Sequence, residues 1–353
     1  MKQPERNYKR IVIKIGTSLF VSAEAIDNII EQICLLIQQK KEVVVVSSGA
    51  IAHGMSVLGL KNRPRELSLL QAAAAIGQNE LMNIYSRGLG SKGLKCGQVL
   101  LTWEDLQDRR RYLNAKNTIL QLIKLGVVPV INENDTVPAD EIKFGDNDKL
   151  SALVANLIQA DLLIMLSDIE GLLSKEKEVI RIVNEITPEI KKLACGTDKE
   201  SSVGGMITKL EAASMVTGSG LSCVIANGLV KEKIISVLNS PEEAGTFFPK
   251  KEHLVAKKRW IAFGTKAAGK IRVDKGAKEA LVKNNKSLLS PGVVEVSGNF
   301  EKGDTVAVVD EKGLEFARGK VNYCVEALRK IKGQRAKKEV IHRDNLVIIC
   351  KSR

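Results

Sequence analysis

The sequence has few of the residues that most often build metal centres and disulfide frameworks. It contains three histidines among 353 residues, and its six cysteines are dispersed without any Cys-x-x-Cys pair. Structural zinc sites use closely spaced Cys and His ligands, whereas disulfide scaffolds need many cysteines in a short chain. The sequence therefore argues against both kinds of site, and it favours reduced thiols in a cytoplasmic protein.

Long apolar runs are also lacking, as are two familiar binding loops. The first ten residues are polar and charged, and no run approaches the ~18 apolar residues of a membrane-spanning helix, so we expect no membrane segment. Residues 264–271 come near a phosphate-binding P-loop, but Ile271 replaces the required hydroxyl. An EF-hand starting at Asp146 would lack its glycine and its closing glutamate.

Positive charge is concentrated at one end of the chain. From residue 256 onward there are 23 Lys and Arg against 11 Asp and Glu, so nearly all of the net charge of +13 lies in the last 98 residues. Such asymmetry indicates a domain boundary, and a basic module is typical of nucleic-acid binding. A lysine-rich surface that serves solubility explains the same charge equally well.

Up to about residue 240, short apolar runs alternate with amphipathic stretches. Two stretches, 24–38 and 150–158, have apolar residues at helical spacing. Strands that are apolar on both faces and alternate with helices predict an α/β fold with an open, mainly parallel sheet sandwiched by helices. The predicted strands are 10–16, 42–49, 96–102, 127–132, 161–168 and 222–228.

The pattern changes in the last third of the chain. Residues 241–256 contain Pro, Gly and charges without periodicity, which predicts a linker after a first domain at 1–240. Short strands separated by turn dipeptides then predict a small β-rich domain at 257–353, barrel-like or sandwich-like, with one helix near 275–284.

Candidate binding residues follow the predicted strands of the first domain. Lys14 lies at the end of the first strand, and Ser48 and Gly49 follow the second. Two glycines precede Lys209 in "GGMITK". Open α/β sheets bind ligands at the carboxyl ends of their strands, where small residues and helix N-termini accept anions. Each signal is weak alone, but together they predict one anion site.

Several segments resemble those of the glutamate 5-kinases, which are members of the amino acid kinase family. They are "VIKIGTS", "VVSSGAIAHG", "QAAAAIGQNELM", "GQVLLTWEDLQDRRRYLNAKNT", "GVVPVINENDTV", "FGDNDKLSALVA", "LLIMLSDIEGL" and "GGMITKLEAA". They follow the family's order across residues 10–228. Residues 257–348 resemble a PUA domain through "KKRWIAFG", "AAGKIRVDKGAKEAL", "LLSPGVVEVSGNFEKGD" and "VIHRDNLVI". The resemblance implies an amino acid kinase-type sheet followed by a PUA-like domain.

The resemblance also implies a reaction, the transfer of the γ-phosphoryl group of ATP to the side-chain carboxylate of L-glutamate. This is the first step of proline synthesis. Lys14 and Lys209 would contact the transferring phosphoryl group, and Asp148 would hold both lysines in place. From the residues alone, Asp148 is also a candidate N-cap of the helix that follows it. No general base is needed because the attacking carboxylate is already ionised at neutral pH.

Further roles are implied by the same resemblance. The residues that would bind glutamate are Ser48, Gly49, Asp135 and Asn147, with Asp135 suited to the ammonium group. Those that would bind ATP are Lys14, Ser167, Asp168, Gly205, Met206 and Lys209. Mg²⁺ is implied by ATP, and Asp135, Asp146 and Asp148 are its possible ligands. Of the other acids nearby, Asp140 and Glu141 are expected in solvent, and Glu133 and Asp146 could contact or support substrate.

The family further implies feedback inhibition by proline and assembly into dimers or tetramers. Two alternatives remain open at this stage. The fold could serve another acceptor, or the basic module could make the chain an RNA-binding protein with a vestigial kinase domain. The aromatic residues of that module are few and spaced like core residues, so we expect RNA binding to be peripheral. They are Trp260, Phe263, Phe300, Phe316 and Tyr323.

Overall fold

The chain forms two compact units in a computed structural model, Met1–His253 and Leu254–Arg353. The structure describes residues 7–137, 147–194, 205–251, 267–336 and 338–349. Within these ranges, no helix combines the length and the apolar character that crossing a membrane requires.

The first unit is built around a seven-stranded sheet with the order β3-β4-β2-β1-β5-β6-β7. Strands β1 to β6 are parallel, and only the edge strand β7 runs antiparallel to its neighbour β6. The strands are β1 Arg10–Ile15, β2 Glu42–Ser47, β3 Lys95–Leu101, β4 Val127–Glu133, β5 Leu162–Ser167, β6 Ser222–Asn227 and β7 Thr246–Phe248. The predicted fold class, an α/β sheet followed by a strand-rich unit, is confirmed.

Helices cover both faces of this sheet. They are α1 Ala23–Gln38, α2 Ala50–Val57, α3 Leu67–Gly90, α4 Trp103–Gln107, α5 Arg109–Lys124, α6 Asn147–Ile158, α7 Pro188–Ala194, α8 Met206–Gly218, α9 Lys233–Asn239 and α10 Pro241–Ala244. A short 3-10 helix at Thr17–Val21 follows β1. The residue alternation of β1 divides the interior into two cores. Val12 packs with α6 and α8, whereas Ile11, Ile13 and Ile15 pack with α1 and α3.

Helices α2 and α3 approach each other unusually closely. A Cβ atom added to Gly54 would lie 1.8 Å from the carbonyl oxygen of Ala73. A Cβ atom added to Gly77 would lie 1.7 Å from the carbonyl oxygen of Ala50. Each helix therefore carries a glycine where the backbone of the other one passes, and no other residue type fits at either contact.

The predicted linker at 241–256 contains regular structure in the part that the structure describes. Helix α10 and strand β7 lie within it, and the side chains of Phe247 and Phe248 are buried. A three-residue strand beside Pro and Gly gives no periodicity that a sequence pattern could reveal. The boundaries of the two domains stay predictions.

The second unit contains a five-stranded sheet with the order β12-β11-β10-β8-β9. Its strands are β8 Gly269–Val273, β9 Val293–Gly298, β10 Thr305–Val309, β11 Glu315–Lys320 and β12 Leu346–Ile348. The predicted helix is present as α11, Lys275–Asn284, and α12, Val325–Ile331, was not predicted. Phe300 and Phe316 are buried in the core of this unit, as their spacing indicated. Trp260 and Phe263 lie outside the described residues.

Candidate active site

One buried carboxylate holds two ammonium groups at the carboxyl end of the first sheet. Lys14 Nζ lies 2.8 Å from Asp148 Oδ1, and Lys209 Nζ lies 3.3 Å from Asp148 Oδ2. All three side chains are buried, and Asp148 is only 1% exposed. The three residues come from three separate elements, so the tertiary fold brings them together.

Local structure explains why these side chains meet. Lys14 is two residues after Val12 in β1 and therefore projects from the same face of the sheet, the one covered by α6 and α8. Asp148 lies in the first turn of α6, where the helix dipole favours a negative charge. Because α6 begins at Asn147, Asp148 lies inside the helix, and its prediction as the N-cap is wrong.

The electrostatics of the cluster follow from burial and from the two lysines. Burial acts to raise the pKa of Asp148, but the ammonium groups of Lys14 and Lys209 outweigh it and bring that pKa to about 2. Burial lowers the pKa of Lys209 below its usual value, while the nearby Asp148 acts in the opposite direction. With Asp148 ionised and both lysines protonated, the cluster carries one net positive charge, which suits a phosphate group.

A third donor, Thr208, contacts the same carboxylate. Its hydroxyl donates to Asp148 Oδ2 over 2.7 Å and also lies 2.9 Å from the carbonyl oxygen of Gly205. Thr208 was not among the predicted site residues. Its only sequence signal was its place beside Lys209, and threonine is common on helix surfaces.

Next to the cluster, Asn147 joins the ends of β2 and β4. Its Nδ2 donates to the carbonyl oxygen of Ser47, to Ser48 Oγ and to Asn132 Oδ1, over 3.2, 3.1 and 3.0 Å. Asn132 Oδ1 also accepts from the backbone N–H of Glu133 over 2.8 Å. These backbone partners fix both amide orientations, because an N–H must face an oxygen and a carbonyl must face an NH₂ group.

Three buried polar atoms, two in this network and one in the segment that follows β4, have no partner among the described residues. They are Asn132 Nδ2, Asn147 Oδ1 and Asp135 Oδ1. One is a donor and two are acceptors. Leaving such atoms unpaired costs about 1–3 kcal/mol each, so their presence together indicates a ligand that pairs with them. Asn132 was not predicted, although it lies in the quoted "INEND" segment.

Asp135 has an environment opposite to that of Asp148. Burial raises the pKa of Asp135 to about 6, and the charge of Arg63 only partly opposes this shift. An opposite charge within reach would lower that pKa again. The carboxylate is therefore prepared for a cation that the described part of the chain does not fully supply.

The predicted residues Ser48 and Gly49 link β2 to α2. Ser48 is buried and donates its backbone N–H to the carbonyl oxygen of Ile15 over 3.0 Å. Gly49 precedes α2 with φ = 106°, a left-handed conformation that favours glycine. Ser47 Oγ and the buried Tyr85 hydroxyl lie 2.8 Å apart, which ties this strand end to α3.

The residues that were predicted to bind ATP differ from one another in burial. Ser167 ends β5 with a buried hydroxyl that has no partner among the described residues, and Asp168 is exposed and accepts from Ser18 Oγ over 3.1 Å. Gly205 precedes α8 and is exposed. Met206 differs, because its side chain is buried in the hydrophobic core.

A metal site is not evident in the part of the chain that the structure describes. Within it, no group of three His, Cys, Asp or Glu side chains is arranged to hold an ion. Of the possible ligands, Asp146 lies outside the described residues. Asp140 and Glu141, which are expected in solvent, also lie outside them.

Comparison with known proteins adds a decisive observation. A profile of the amino acid kinase family matches residues 9–227, which is more than half of the chain. The chain belongs to the amino acid kinase family. A PUA domain profile matches residues 269–342, so the family's catalytic fold is followed here by a PUA domain.

Full-length relatives within the amino acid kinase family are close. Glutamate 5-kinase from a Thermoanaerobacter species is 44% identical over 96% of this chain and 98% of its own. The glutamate 5-kinase of Caldanaerobacter subterraneus subsp. tengcongensis is 45% identical over the same shares, and that of Syntrophus aciditrophicus is 41% identical over 100% of this chain and 97% of its own.

A solved structure supports the fold at a greater distance. N-acetylglutamate synthase from Neisseria gonorrhoeae, complexed with coenzyme A and N-acetyl-glutamate, is 14% identical with a TM-score of 0.52. The likeness covers 69% of this chain and 60% of that one. At this identity the comparison concerns the shared fold alone.

Proposed function

We propose that this protein is a glutamate 5-kinase, which transfers the γ-phosphoryl group of ATP to the side-chain carboxylate of L-glutamate. The observation that carries the proposal is the set of unpartnered buried atoms beside the Lys14–Asp148–Lys209 cluster. Two acceptors and one donor match the ammonium and the carboxylate of an amino acid. The names of the full-length relatives support the same substrate.

In this proposal the ammonium group, the α-carboxylate and the side-chain carboxylate of glutamate are each held by different residues. Asp135 Oδ1 and Asn147 Oδ1 accept hydrogen bonds from the ammonium group, and Asn132 Nδ2 donates to the α-carboxylate. This refines the predicted role of Asn147, because its NH₂ group already has protein acceptors. Ser48 and Gly49 hold the reacting side-chain carboxylate near the lysines.

The lysines stabilise charge during the transfer. A bond forms between the γ-phosphorus and an oxygen of glutamate, the bond to the β-phosphate oxygen breaks, and ADP leaves. Charge spreads over the equatorial phosphoryl oxygens in such transfers, and cations aimed at them lower the barrier. Lys14 approaches from the sheet and Lys209 from α8, while Asp148 keeps both in place. Ser167, Asp168 and the start of α8 at Gly205 and Met206 would contact the nucleotide.

Mg²⁺ belongs to the proposal only through ATP. The described residues do not form a protein site for this ion. Mg²⁺ is commonly held by substrate phosphates with one or two carboxylates. The ion would therefore arrive with ATP and be held mainly by its phosphates.

The direct test is a trapping assay. The purified protein is incubated with ATP, Mg²⁺ and L-glutamate, and the acyl phosphate is captured by hydroxylamine as a hydroxamate. We expect product with L-glutamate and little with N-acetyl-L-glutamate, which lacks the ammonium group, or with L-aspartate, which is shorter. Product from another acceptor, without product from glutamate, would favour a different phosphotransferase of the same fold.

Two further expectations follow from the relationship to glutamate 5-kinases. Adding L-proline to the same assay should lower the rate. Light scattering should reveal a dimer or tetramer. RNA binding by the C-terminal domain stays a prediction of a peripheral role. Salt-dependent binding of RNA to a chain that makes no hydroxamate would favour the RNA-binding alternative.

Asp135 is expected to make glutamate binding pH-dependent. With a pKa of about 6, its carboxylate loses its charge below that pH, so KM for glutamate should rise about tenfold per pH unit below pH 6. Asp135→Asn should raise KM at pH 8 and abolish this dependence. A KM profile that stays flat from pH 8 to pH 5 in the unsubstituted protein would contradict the assignment.

The same variant should be more stable at high pH. Because the folded-state pKa of Asp135 exceeds its unfolded value, ionisation opposes folding once the pH rises above about 6. Asp135→Asn should therefore increase the free energy of unfolding at pH 8, and the gain should fade as the pH approaches 4. Urea denaturation without substrate measures it. A loss of stability at pH 8 would show that Arg63, or another cation, outweighs the cost of burying the carboxylate in the free protein.

A further inference from the structure

Ser47 and Tyr85 form a buried pair of hydroxyl groups at the end of β2. Ser47 alternates with Val45, so its side chain projects from the face of the sheet that α1 and α3 cover. Tyr85 reaches it from α3, and the two hydroxyl oxygens lie 2.8 Å apart. Both residues are fully buried. The pair therefore lies on the face of the sheet opposite to Lys14, which projects towards α6 and α8.

The two hydroxyl protons have one arrangement that uses both. The carbonyl oxygen of Ser48 can only accept, so Ser47 Oγ donates its proton to that oxygen over 3.2 Å. The Tyr85 hydroxyl then donates to Ser47 Oγ. Burial raises the pKa of Tyr85 above its usual value, so the phenol keeps this proton. The resulting Tyr85–Ser47 relay ends on the carbonyl group of Ser48.

That carbonyl group belongs to the peptide unit that joins Ser48 to Gly49. In a trans peptide the C=O and N–H groups point in opposite directions, and the described residues contain no cis peptide bond. Because the C=O group is turned towards Ser47, the N–H of Gly49 is directed towards the face of the sheet from which Lys14 projects. No backbone acceptor among the described residues takes this N–H.

Steric effects alone do not fix the orientation of this peptide unit. Gly49 has φ = 106° and no Cβ atom, and glycine adopts positive and negative φ about equally readily. The Ser48–Gly49 peptide could therefore turn over at little cost if its carbonyl had no partner. The hydrogen bond from Ser47 removes this freedom, and Tyr85 keeps the Ser47 hydroxyl in place.

We propose that the Tyr85–Ser47 relay positions the Ser48–Gly49 peptide so that the N–H of Gly49 donates to the side-chain carboxylate of the acceptor. The inference rests on the proposed phosphoryl transfer to glutamate. Ser47 and Tyr85 are positioning residues, because they act through the peptide and do not touch the substrate. The attacking carboxylate loses negative charge during the transfer, so this N–H contributes mainly to the binding of glutamate.

Two variants and their combination test the relay. Ser47→Ala removes the donor to the carbonyl and should raise KM for glutamate about tenfold, because a hydrogen bond to an ionised group is lost. Tyr85→Phe keeps the ring in the core and should raise it about threefold, because Ser47 retains its hydroxyl. The double variant should match Ser47→Ala within about twofold, because Tyr85 acts only through Ser47. KM for ATP should stay within about twofold in all three.

Stability measurements separate positioning from general damage. Ser47→Ala leaves the buried Tyr85 hydroxyl without its partner, which is costly, whereas the double variant removes both partners. The double variant should therefore be more stable in urea denaturation than Ser47→Ala, while its KM for glutamate remains raised. A KM that recovers together with the stability would overturn the proposal. So would an unchanged KM for glutamate in Ser47→Ala, or an equal rise in KM for ATP.

Thr217→Val is the matched control for the loss of a buried hydroxyl. The Thr217 hydroxyl lies near the end of α8 and donates to the carbonyl oxygen of Ala213 over 2.8 Å. The variant should leave KM for glutamate and for ATP within about twofold.

A crystal structure of Ser47→Ala decides the inference without turnover. We expect the Ser48–Gly49 peptide to be turned over or to occupy two orientations. A single orientation identical to that in the unsubstituted protein would refute the inference. An unsubstituted protein that makes no hydroxamate would contradict the proposed function alone, because the peptide orientation would still be measured.

Discussion

An Asp148→Asn variant is expected to lose about 10³-fold in kcat, the largest effect on activity that the structure predicts. The amide has the same shape but no charge, and its NH₂ group would face one of the two ammonium groups. Lys14 and Lys209 would then repel each other without a counterion and would leave their positions. The hydroxamate assay measures the loss. A reduction smaller than about tenfold would mean that the two lysines are held by other groups.

The same substitution should also weaken the fold. Removing one partner of a buried ion pair typically costs about 3–5 kcal/mol, because the remaining charge stays buried and unpaired. Glu211→Gln is the matched control, since Glu211 pairs with Lys149 over 2.7 Å between the same two helices, but its side chain is 44% exposed. It should change the free energy of unfolding by less than about 1 kcal/mol.

Because the folded-state pKa of Asp148 lies near 2, its stabilisation is complete above about pH 4 and is lost as the pH falls towards 2.

Gly77→Ala is expected to have the largest effect on stability at an uncharged position. Its Cβ atom would lie 1.7 Å from the carbonyl oxygen of Ala50 and 2.5 Å from the backbone nitrogen of Gly54. Both contacts are with backbone, so no side-chain rotation relieves them and α2 must move away from α3. Overpacking costs about 1–3 kcal/mol or more, and improved helix propensity returns only about 1 kcal/mol of it. Because the contacts are with rigid backbone, we expect the upper end of this cost and therefore a net loss of about 2 kcal/mol in urea denaturation.

Gly90→Ala provides the control on the same helix. Nothing lies within 4 Å of a Cβ atom at Gly90, so the variant should be as stable as the unsubstituted protein or slightly more stable. Gly77→Ala should in addition raise KM for glutamate, because α2 begins directly after Ser48 and Gly49. Equal stability of the two variants would mean that α2 and α3 separate without cost.

Much of the candidate site could be predicted from the sequence because several of its residues lie at or just after the carboxyl ends of regular strands. The six parallel strands are long, apolar and regularly spaced, and parallel strands gather their carboxyl ends at one edge. Lys14 alternates with Val12 in a strand, so its face of the sheet follows from its position. The resemblance of the motifs to glutamate 5-kinases then supplied Asp148 and Lys209, whose meeting requires elements more than 60 residues apart.

Other features depend on atoms that no sequence pattern specifies. The choice between Nδ2 and Oδ1 as the unpaired atom of Asn132 or Asn147 depends on the backbone groups opposite them. The contact of Thr208 with Asp148 depends on how α8 lies against α6. Strand β7 is too short for periodicity, and its Pro- and Gly-containing surroundings suggested a linker instead. At the contact between α2 and α3, the glycines in residues 50–54 and 73–77 meet backbone atoms of the other helix. Backbone atoms are the same for every residue type, so the sequence does not reveal which segments come this close.

The close fit of α2 against α3 also bears on how the acceptor specificity of this protein could be changed. In the proposed reaction, the wall that would face the reacting carboxylate is fixed twice, by the two glycines and by the contact between Ser47 and Tyr85. Substitutions there would disturb the scaffold before they altered selectivity. The other wall of the proposed glutamate site, with Asn132, Asp135 and Asn147, contains the atoms that have no partner among the described residues. A library that seeks new amino acid acceptors should therefore vary that wall and leave the helix pair untouched.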